Sequence, residues 1–265
     1  MKKKYIPLII FFLLLLVPIY WMLNTSFKTN AEINQIMTFF PAKFTTANYL
    51  KIFTDPQWQR SFLQTFAYVV INVVITMLVS IPAAYVFSRR TFKAKPHLFF
   101  WLLTNRMAPG AAFLVPFLVL FSTLGLMDTL IAVSLAHCLF NVPLAIWILE
   151  GFISGIPRQI DETAFVDGYG FFRFFFKIFL PLIAPGLSVS AFFAFTFSWV
   201  ELLMSRTLTS SGVKPITVTL TRSLGAAGWD WGVIAAAGVL TMIPGAVVVF
   251  LVRKHMVKGF ALGRV

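Results

Sequence analysis

Residues Phe62-Leu-Gln-Thr-Phe-Ala-Tyr-Val-Val-Ile-Asn-Val-Val-Ile-Thr-Met-Leu-Val-Ser-Ile-Pro-Ala-Ala-Tyr-Val-Phe87 contain no Asp, Glu, Lys or Arg. A helix needs about 20 mostly apolar residues to cross a bilayer, and this run exceeds that. Five further stretches qualify: Tyr5–Leu23, Leu98–Phe121, Leu130–Phe152, Ile183–Leu203 and Val233–Val252. None alternates with a period of two, which excludes a transmembrane β-barrel. The chain is 59% hydrophobic and 12% charged, with a mean hydropathy of +0.86. A soluble domain carries roughly 25% charged residues. These observations predict an all-α polytopic membrane protein with six transmembrane helices, forming a single transmembrane domain over residues 1–265.

The net charge is +13 and the isoelectric point is near 10.2. Nucleic-acid binding needs basic residues gathered on one water-facing surface. Here they stand in short clusters between apolar runs, which suits topology-setting charges and contact with membrane lipid and argues against nucleic acid. The first apolar stretch follows Lys2, Lys3 and Lys4. It is too long for the apolar core of a signal peptide, and no small-x-small cleavage site follows, so a retained span containing Pro7 and Pro18 is expected. A cytoplasmic N-terminus places on the inside Lys2, Lys3, Lys4, Arg89, Arg90, Lys93, Lys95, Arg158, Arg173, Lys177, Arg253, Lys254, Lys258 and Arg264. Outside fall Lys28, Lys43, Lys51, Arg60, Arg206, Lys214 and Arg222, with Arg106 inside a span. The Lys/Arg bias therefore predicts both termini in the cytoplasm.

Two outside loops are long, Asn24–Ser61 and Met204–Gly232. The first holds turn and capping residues around the helix-compatible Ala47–Phe53. The second is rich in Ser, Thr and Gly, and its Ser210–Thr221 portion fits either a mobile probe or a plain solvated loop. No internal repeat is found, which argues against a secondary transporter. No catalytic constellation is found either, and the protein is not expected to be an enzyme. His97, His137 and His255 are scattered, and there is no CxxC and no Gly-rich phosphate loop with Lys-Ser/Thr. His137 and its neighbour Cys138 point about 100° apart on a helix, so a buried polar pair is expected rather than a metal site. Polar residues inside spans are candidates for a transport path. Arg106 either faces the path or extends to headgroups, and Asn72 and Asn141 either meet a hydroxyl-rich ligand or join helices.

The segment with most chemical content lies between the fourth and fifth spans, at 156–180. Its first part reads Ile156-Pro-Arg-Gln-Ile-Asp-Glu-Thr-Ala-Phe-Val-Asp-Gly-Tyr-Gly170. Pro157 suits a first helical position, and Asp161 and Glu162 suit a first turn, where negative charge complements the helix dipole. Gly168 and Gly170 are expected to end that helix. A second, aromatic and basic helix follows, with Phe171, Phe172, Phe174, Phe175 and Phe176 beside Arg173 and Lys177. It is suited to the membrane interface. Pro181 and Pro185 then turn the chain into the fifth span.

The order Glu162-Thr-Ala-x-x-Asp167-Gly168, then Phe174, Ile178, Leu180-Pro181-Leu182 and Pro185, resembles the "EAA" loop of permease subunits of bacterial ABC importers. More narrowly, the chain resembles the second-subunit branch of the maltose-type carbohydrate permeases. Supporting matches are Asn24-Thr-Ser-Phe-Lys-Thr-Asn-Ala-Glu-Ile33, Ala83-Ala-Tyr-Val-Phe-Ser-Arg89, Arg106-Met-Ala-Pro109 and Trp199-Val-Glu201. Thr163 and Tyr169 depart from the family pattern, which usually has alanine and a small residue there. The resemblance implies the type I ABC importer fold in a bacterial inner membrane. It also implies a second homologous permease subunit, two cytoplasmic ATPase subunits that bind the ATP and Mg, and an external substrate-binding protein. This chain itself would carry no cofactor. Glu162, Thr163, Ala164, Asp167 and Gly168 would form the ATPase-docking site, with Asp167 bracing the loop. Trp199 and Glu201 would either abut the substrate path or anchor the outer end of the fifth span. The expected cargo is a neutral sugar or polyol, with glycerol or glycerol phosphate as the alternative cargo and a channel subunit as the alternative class.

Overall fold

A computed structural model describes residues 5–35, 37–221, 224–225 and 228–262. Lys2, Lys3, Lys4, Arg222 and Arg264 lie outside the described residues, as do the side chains of His255 and Lys258. The fold is helical. Among the described residues the β structure is one two-residue antiparallel pairing, Leu224 with Trp229 and Gly225 with Gly228. In chain order the helices are α1 (Ile6–Ser26), α2 (Asn30–Gln35), α3 (Ala47–Thr54), α4 (Pro56–Arg89), α5 (Lys95–Met107), α6 (Leu114–Thr123) and α7 (Leu130–Ser154). They continue with α8 (Gln159–Val166), α9 (Phe171–Phe174), α10 (Leu180–Leu182), α11 (Ala184–Val200), α12 (Leu203–Leu208), α13 (Ile216–Thr221) and α14 (Trp231–Leu262). Four helices, α1, α4, α7 and α14, are long and apolar enough to cross a membrane alone, and two bent pairs raise the number to as many as six.

One bent pair falls within the third apolar stretch. The stretch Leu98–Phe121 is not a straight span: α5 and the segment Gly110–Thr123 meet at 99°. The break falls at Ala108-Pro109-Gly110. Ala108 is extended (φ −66°, ψ 140°), as a residue before proline prefers, and a short 3-10 turn, Gly110–Phe113, then leads into α6. Pro18, Pro82, Pro143 and Pro244 lie inside helices that continue through them.

The chain forms two compact units, residues 1–63 with 216–246, and residues 64–215 with 247–265. In the first, Asn24, Ser26 and Lys28 are buried at the end of α1. Asn24 Nδ2 and Lys28 Nζ both donate to the Thr38 carbonyl, and Ser26 Oγ lies 2.7 Å from Tyr49 Oη. Asn48 Nδ2 donates to the carbonyls of Ser26 and Lys28 at 2.9 and 2.8 Å. Asp230 accepts from Asn30 Nδ2 and pairs with Lys51 at 2.6 Å. Every second residue from Asn24 to Asn30 thus makes a side-chain tie, to Thr38 in the loop after α1, to Tyr49 of α3 or to Asp230 before α14. An apolar cluster of Ile52, Trp58, Ile216, Val233, Ala236 and Ala237 lies beneath.

The second unit is built around α7, which packs most extensively against α11 and α5. Ala132, Val133 and Ala136 at its start join Tyr68, Phe195, Trp199 and Met204 in one core. Ile146, Leu149 and Ile153 at its end join Ala84, Ala164, Phe174 and Phe179 in another. The close approach of α11 depends on Gly186, where an added Cβ would sit 2.8–2.9 Å from Phe152 ring and Cβ atoms. Overpacking of this kind costs about 1–3 kcal/mol. Gly186→Ala is expected to lower the thermal midpoint of the purified protein in detergent, and Phe152→Leu in the same chain to recover part of the loss.

Candidate functional site

The loop between α7 and α11 folds into the helix–turn–helix that its sequence predicts, with boundaries shifted. The helix α8 begins at Gln159, and the Pro157 carbonyl accepts from Ile160 N–H at 3.2 Å. At its other end Gly168 adopts φ +82°. Its N–H donates to the Phe165 carbonyl at 3.1 Å, and Tyr169 N–H donates to Ala164 at 3.0 Å. This is a Schellman C-cap, which requires a residue in the left-handed region. Gly170 does not share that role: at φ −68°, ψ 156° it is extended and starts α9.

The eight residues of α8 divide into two faces. Inward, Ala164 is 4% exposed and packs in the second core, and Asp161 is buried. Outward, Glu162, Thr163 and Val166 are exposed, as is Asp167 at the C-cap. Asp161 receives both prongs of Arg89 at the end of α4, from Nε at 2.8 Å and from Nη2 at 3.3 Å. The paired side chains are 6% and 10% exposed. The third guanidinium nitrogen donates to the Ile156 carbonyl at 3.0 Å, while Arg158 donates back to the Ser88 carbonyl at 3.1 Å. The helix α8 and the turn before it are therefore fastened to the end of α4 by a bidentate ion pair and two carbonyl hydrogen bonds.

Three expectations change here. Ala164 points into the core and offers a partner no side chain. Asp167 braces nothing among the described residues; the bend is set by the backbone at Gly168. Asp161, read only as a dipole partner, is the inner anchor. An acid sharing a helix face with Ile160 and Ala164 is the signal that a basic partner waits across the fold, because a carboxylate is seldom buried unpaired.

The candidates for a transport path are tied into the second unit. Asn72 Nδ2 donates to the Ser134 carbonyl at 2.8 Å, and its Oδ1 accepts from Asn141 Nδ2 and Ser198 Oγ, each at 2.8 Å. His137 extends the chain of polar groups, with Nδ1 3.1 Å from Ser198 Oγ and Nε2 3.1 Å from Glu201 Oε2. Glu201 accepts from the backbone N–H groups of Met204 and Ser205 at 2.9 Å and so caps the start of α12. Cys138 Sγ lies 3.3 Å from the same Asn72 Nδ2. These contacts join α4, α7, α11 and α12 between the two apolar cores.

Trp199 is a core residue, 6% exposed and stacked on Phe195 with ring centroids 5.5 Å apart, so it is not an interface anchor. Arg106 ends α5 beside the break, half-buried, with its guanidinium 4.4 Å above the Phe197 ring. Among the described residues no group of three His, Cys, Asp or Glu side chains could hold a metal ion.

The sequence reading missed Asp128. It sits at φ +61° in the turn before α7, and its carboxylate accepts from the N–H groups of Ser210, Ser211, Gly212 and Val213 at 2.7–3.2 Å and from Ser210 Oγ. Partial burial would raise its pKa, but the donors of Ser210, Val213 and Gly212 outweigh that and hold it well below the usual carboxylate range. The Ser210–Val213 turn is thus fastened to the turn before α7.

Four long apolar helices and two bent apolar pairs define a multi-pass membrane protein. Residues 89–261 match the model of the family described as "binding-protein-dependent transport system inner membrane component", and the chain belongs to that family. It is 28% identical over 94% of its length to the sulfoquinovosyl glycerol transport system permease protein SmoH of Agrobacterium fabrum, covering 88% of that protein. To the alpha-glucoside transport system permease protein AglG of Rhizobium meliloti it is 32% identical, over 85% of this chain and 61% of the relative. The fold matches a chain of a bacterial ABC transporter involved in the import of the acidic polysaccharide alginate, with a TM-score of 0.81 at 21% identity, covering 96% and 95% of the two chains. The protein is an inner-membrane, multi-pass transport component and not an enzyme.

Removing one partner of a buried ion pair typically costs about 3–5 kcal/mol, because it strands the other charge. Arg89→Gln or Asp161→Asn is expected to release α8, read as new protease cleavage between residues 156 and 170. Removing both charges together, as in R89M/D161L, is expected to restore part of the protection.

Proposed function

We propose that this chain is a permease subunit of an ATP-driven sugar importer, lining half of the translocation pathway and receiving the motor's stroke through α8. In this reading the exposed face of α8, centred on Glu162 with Thr163 and Val166, enters a cleft on a cytoplasmic ATPase subunit. Glu162 meets a basic residue there. Asp161 and Arg89 carry the displacement to α4, so that α8 and the end of α4 move as one body. A second permease completes the pathway, two ATPase subunits bind the ATP and Mg, and an external binding protein delivers the cargo. Both termini face the ATPase side.

The observation that carries this reading is the division of α8 into a fastened inner face and an unfastened acidic outer face. A mere connector has no need of a bidentate ion pair beneath an exposed carboxylate. Support for the cargo comes from the relatives, whose names cite sulfoquinovosyl glycerol, alpha-glucosides and diacetylchitobiose. A glycosidic, hydroxyl-rich cargo is common to these names. Support for a binding-protein partner comes from a structural relative described as a complex with an alginate pentasaccharide-bound periplasmic protein, TM-score 0.68 at 17% identity. Nothing in the setting of Arg106, which stacks on Phe197, favours glycerol phosphate over a neutral sugar.

Coupling between close charges across an interface runs to about 1.5–7 kcal/mol. Glu162→Lys is expected to weaken ATPase-subunit binding by roughly tenfold or more while the permease stays folded. A charge reversal on the facing ATPase residue should restore it. Gly168→Pro is expected to abolish substrate-stimulated ATP hydrolysis and uptake. Full uptake in both variants would refute the docking role.

A further inference from the structure

The helical run Phe171–Leu182 is left unused by the docking reading. It passes through α9, a π-helical turn at Phe175–Phe179 and α10, and it meets α11 at 74°. A segment leaving a membrane-crossing helix at that angle lies close to the membrane plane.

Its two faces differ. Phe174 and Phe179 are fully buried, and Phe171, Phe175 and Phe179 surround Tyr85 of α4 with ring centroids 5.9, 6.0 and 4.9 Å away. On the other side Phe172 is 75% exposed and Phe176 62% exposed, roughly one turn apart. Arg173 and Lys177, also roughly one turn apart, stand exposed beside them, with Arg173 held 4.7 Å above the Tyr169 ring. The run contains no acidic residue. Phe92 packs against the same apolar cluster and is flanked in the chain by exposed Arg90 and Lys93.

Large exposed aromatics alternating with cations along a helix near the membrane plane are the makings of an interfacial contact. A purely apolar protein partner would strand Arg173 and Lys177 without counter-charge. Water alone would leave two phenylalanines exposed.

We propose that the outer face of Phe171–Leu182 binds anionic phospholipid. Phe172 and Phe176 enter the boundary between headgroups and acyl chains, and Arg173 and Lys177 donate to the lipid phosphate. This contact would hold the root of α11 at a fixed depth beside the docking helix. It does not depend on what α8 engages.

The test uses the full transporter complex, purified and exchanged into equimolar phosphatidylglycerol and phosphatidylcholine, with retained lipid measured by native mass spectrometry. The wild type is expected to retain phosphatidylglycerol preferentially. One basic residue near an anionic surface is worth about fivefold in affinity, so R173Q/K177Q should lose about 30-fold. The charge-keeping swap R173K/K177R should retain most of the preference, and F172S/F176S should lower retention of both lipids. Unchanged phosphatidylglycerol retention in R173Q/K177Q would overturn the proposal. So would loss of a protein subunit from that variant with lipid retention intact, which would assign the face to a protein partner. Displacement of the lipid by millimolar inorganic phosphate would overturn it too, by marking a soluble-anion site.

Discussion

The ion pair between Arg89 and Asp161 is the interaction on which the arrangement depends. It closes a gap of more than seventy residues between the end of α4 and the first turn of α8, and it does so where both groups are largely withdrawn from water. Such a pair is not retained for stability alone, since well-packed apolar residues often do as well. Its distinguishing property is directional. Two parallel hydrogen bonds from a planar guanidinium fix the angle between helices as well as their separation. Ser88, Ile156 and Arg158 add contacts of the same sense. Together they tie an eight-residue helix, too short to be stable alone, to the end of a long one.

The same economy appears at the middle of the second unit. Asn72, Asn141, Ser198, His137 and Glu201 bond to one another between two apolar clusters, in a region where unpaired polar groups are costly, although Asn141 Oδ1 is left without a hydrogen-bond partner among the described residues. Individual hydrogen bonds of this kind within membranes contribute modestly, about 0.6 kcal/mol on average. A connected set fixes the register of α4, α7 and α11 more than it raises their stability. Glu201 also caps α12, so the network reaches the turn that Asp128 organises.

Much of this was legible in the sequence. Uninterrupted apolar runs marked the long apolar helices because a membrane tolerates few charges, and the Asp161–Gly168 stretch marked the short helix α8 and its glycine cap. That a glycine would end α8 was legible too, but the sequence offered both Gly168 and Gly170, and only the structure shows that Gly168 takes the positive φ. The break in the third stretch was written in Pro109-Gly110 but masked by the hydrophobicity on either side. The rest depends on contacts between residues distant in the chain. Periodicity places Asp161 on the inner face but does not say that Arg89 meets it. Nor does it distinguish a tryptophan at an interface from Trp199 in a core. Asp128 stood in a plain turn, and its five donors come from a segment more than eighty residues away.

The central claim is that α8 and the end of α4 move as one body during transport. It can be tested by electron spin resonance distances between labels at Val166 and Arg90, both exposed, in the complete transporter with its lone cysteine, Cys138, replaced by serine. The Val166–Arg90 distance is predicted to stay constant between the resting and nucleotide-trapped states, while the distance from Val166 to a label on the ATPase-distal end of α7 changes. A change of several ångströms in the first distance, with the second unaltered, would contradict the account.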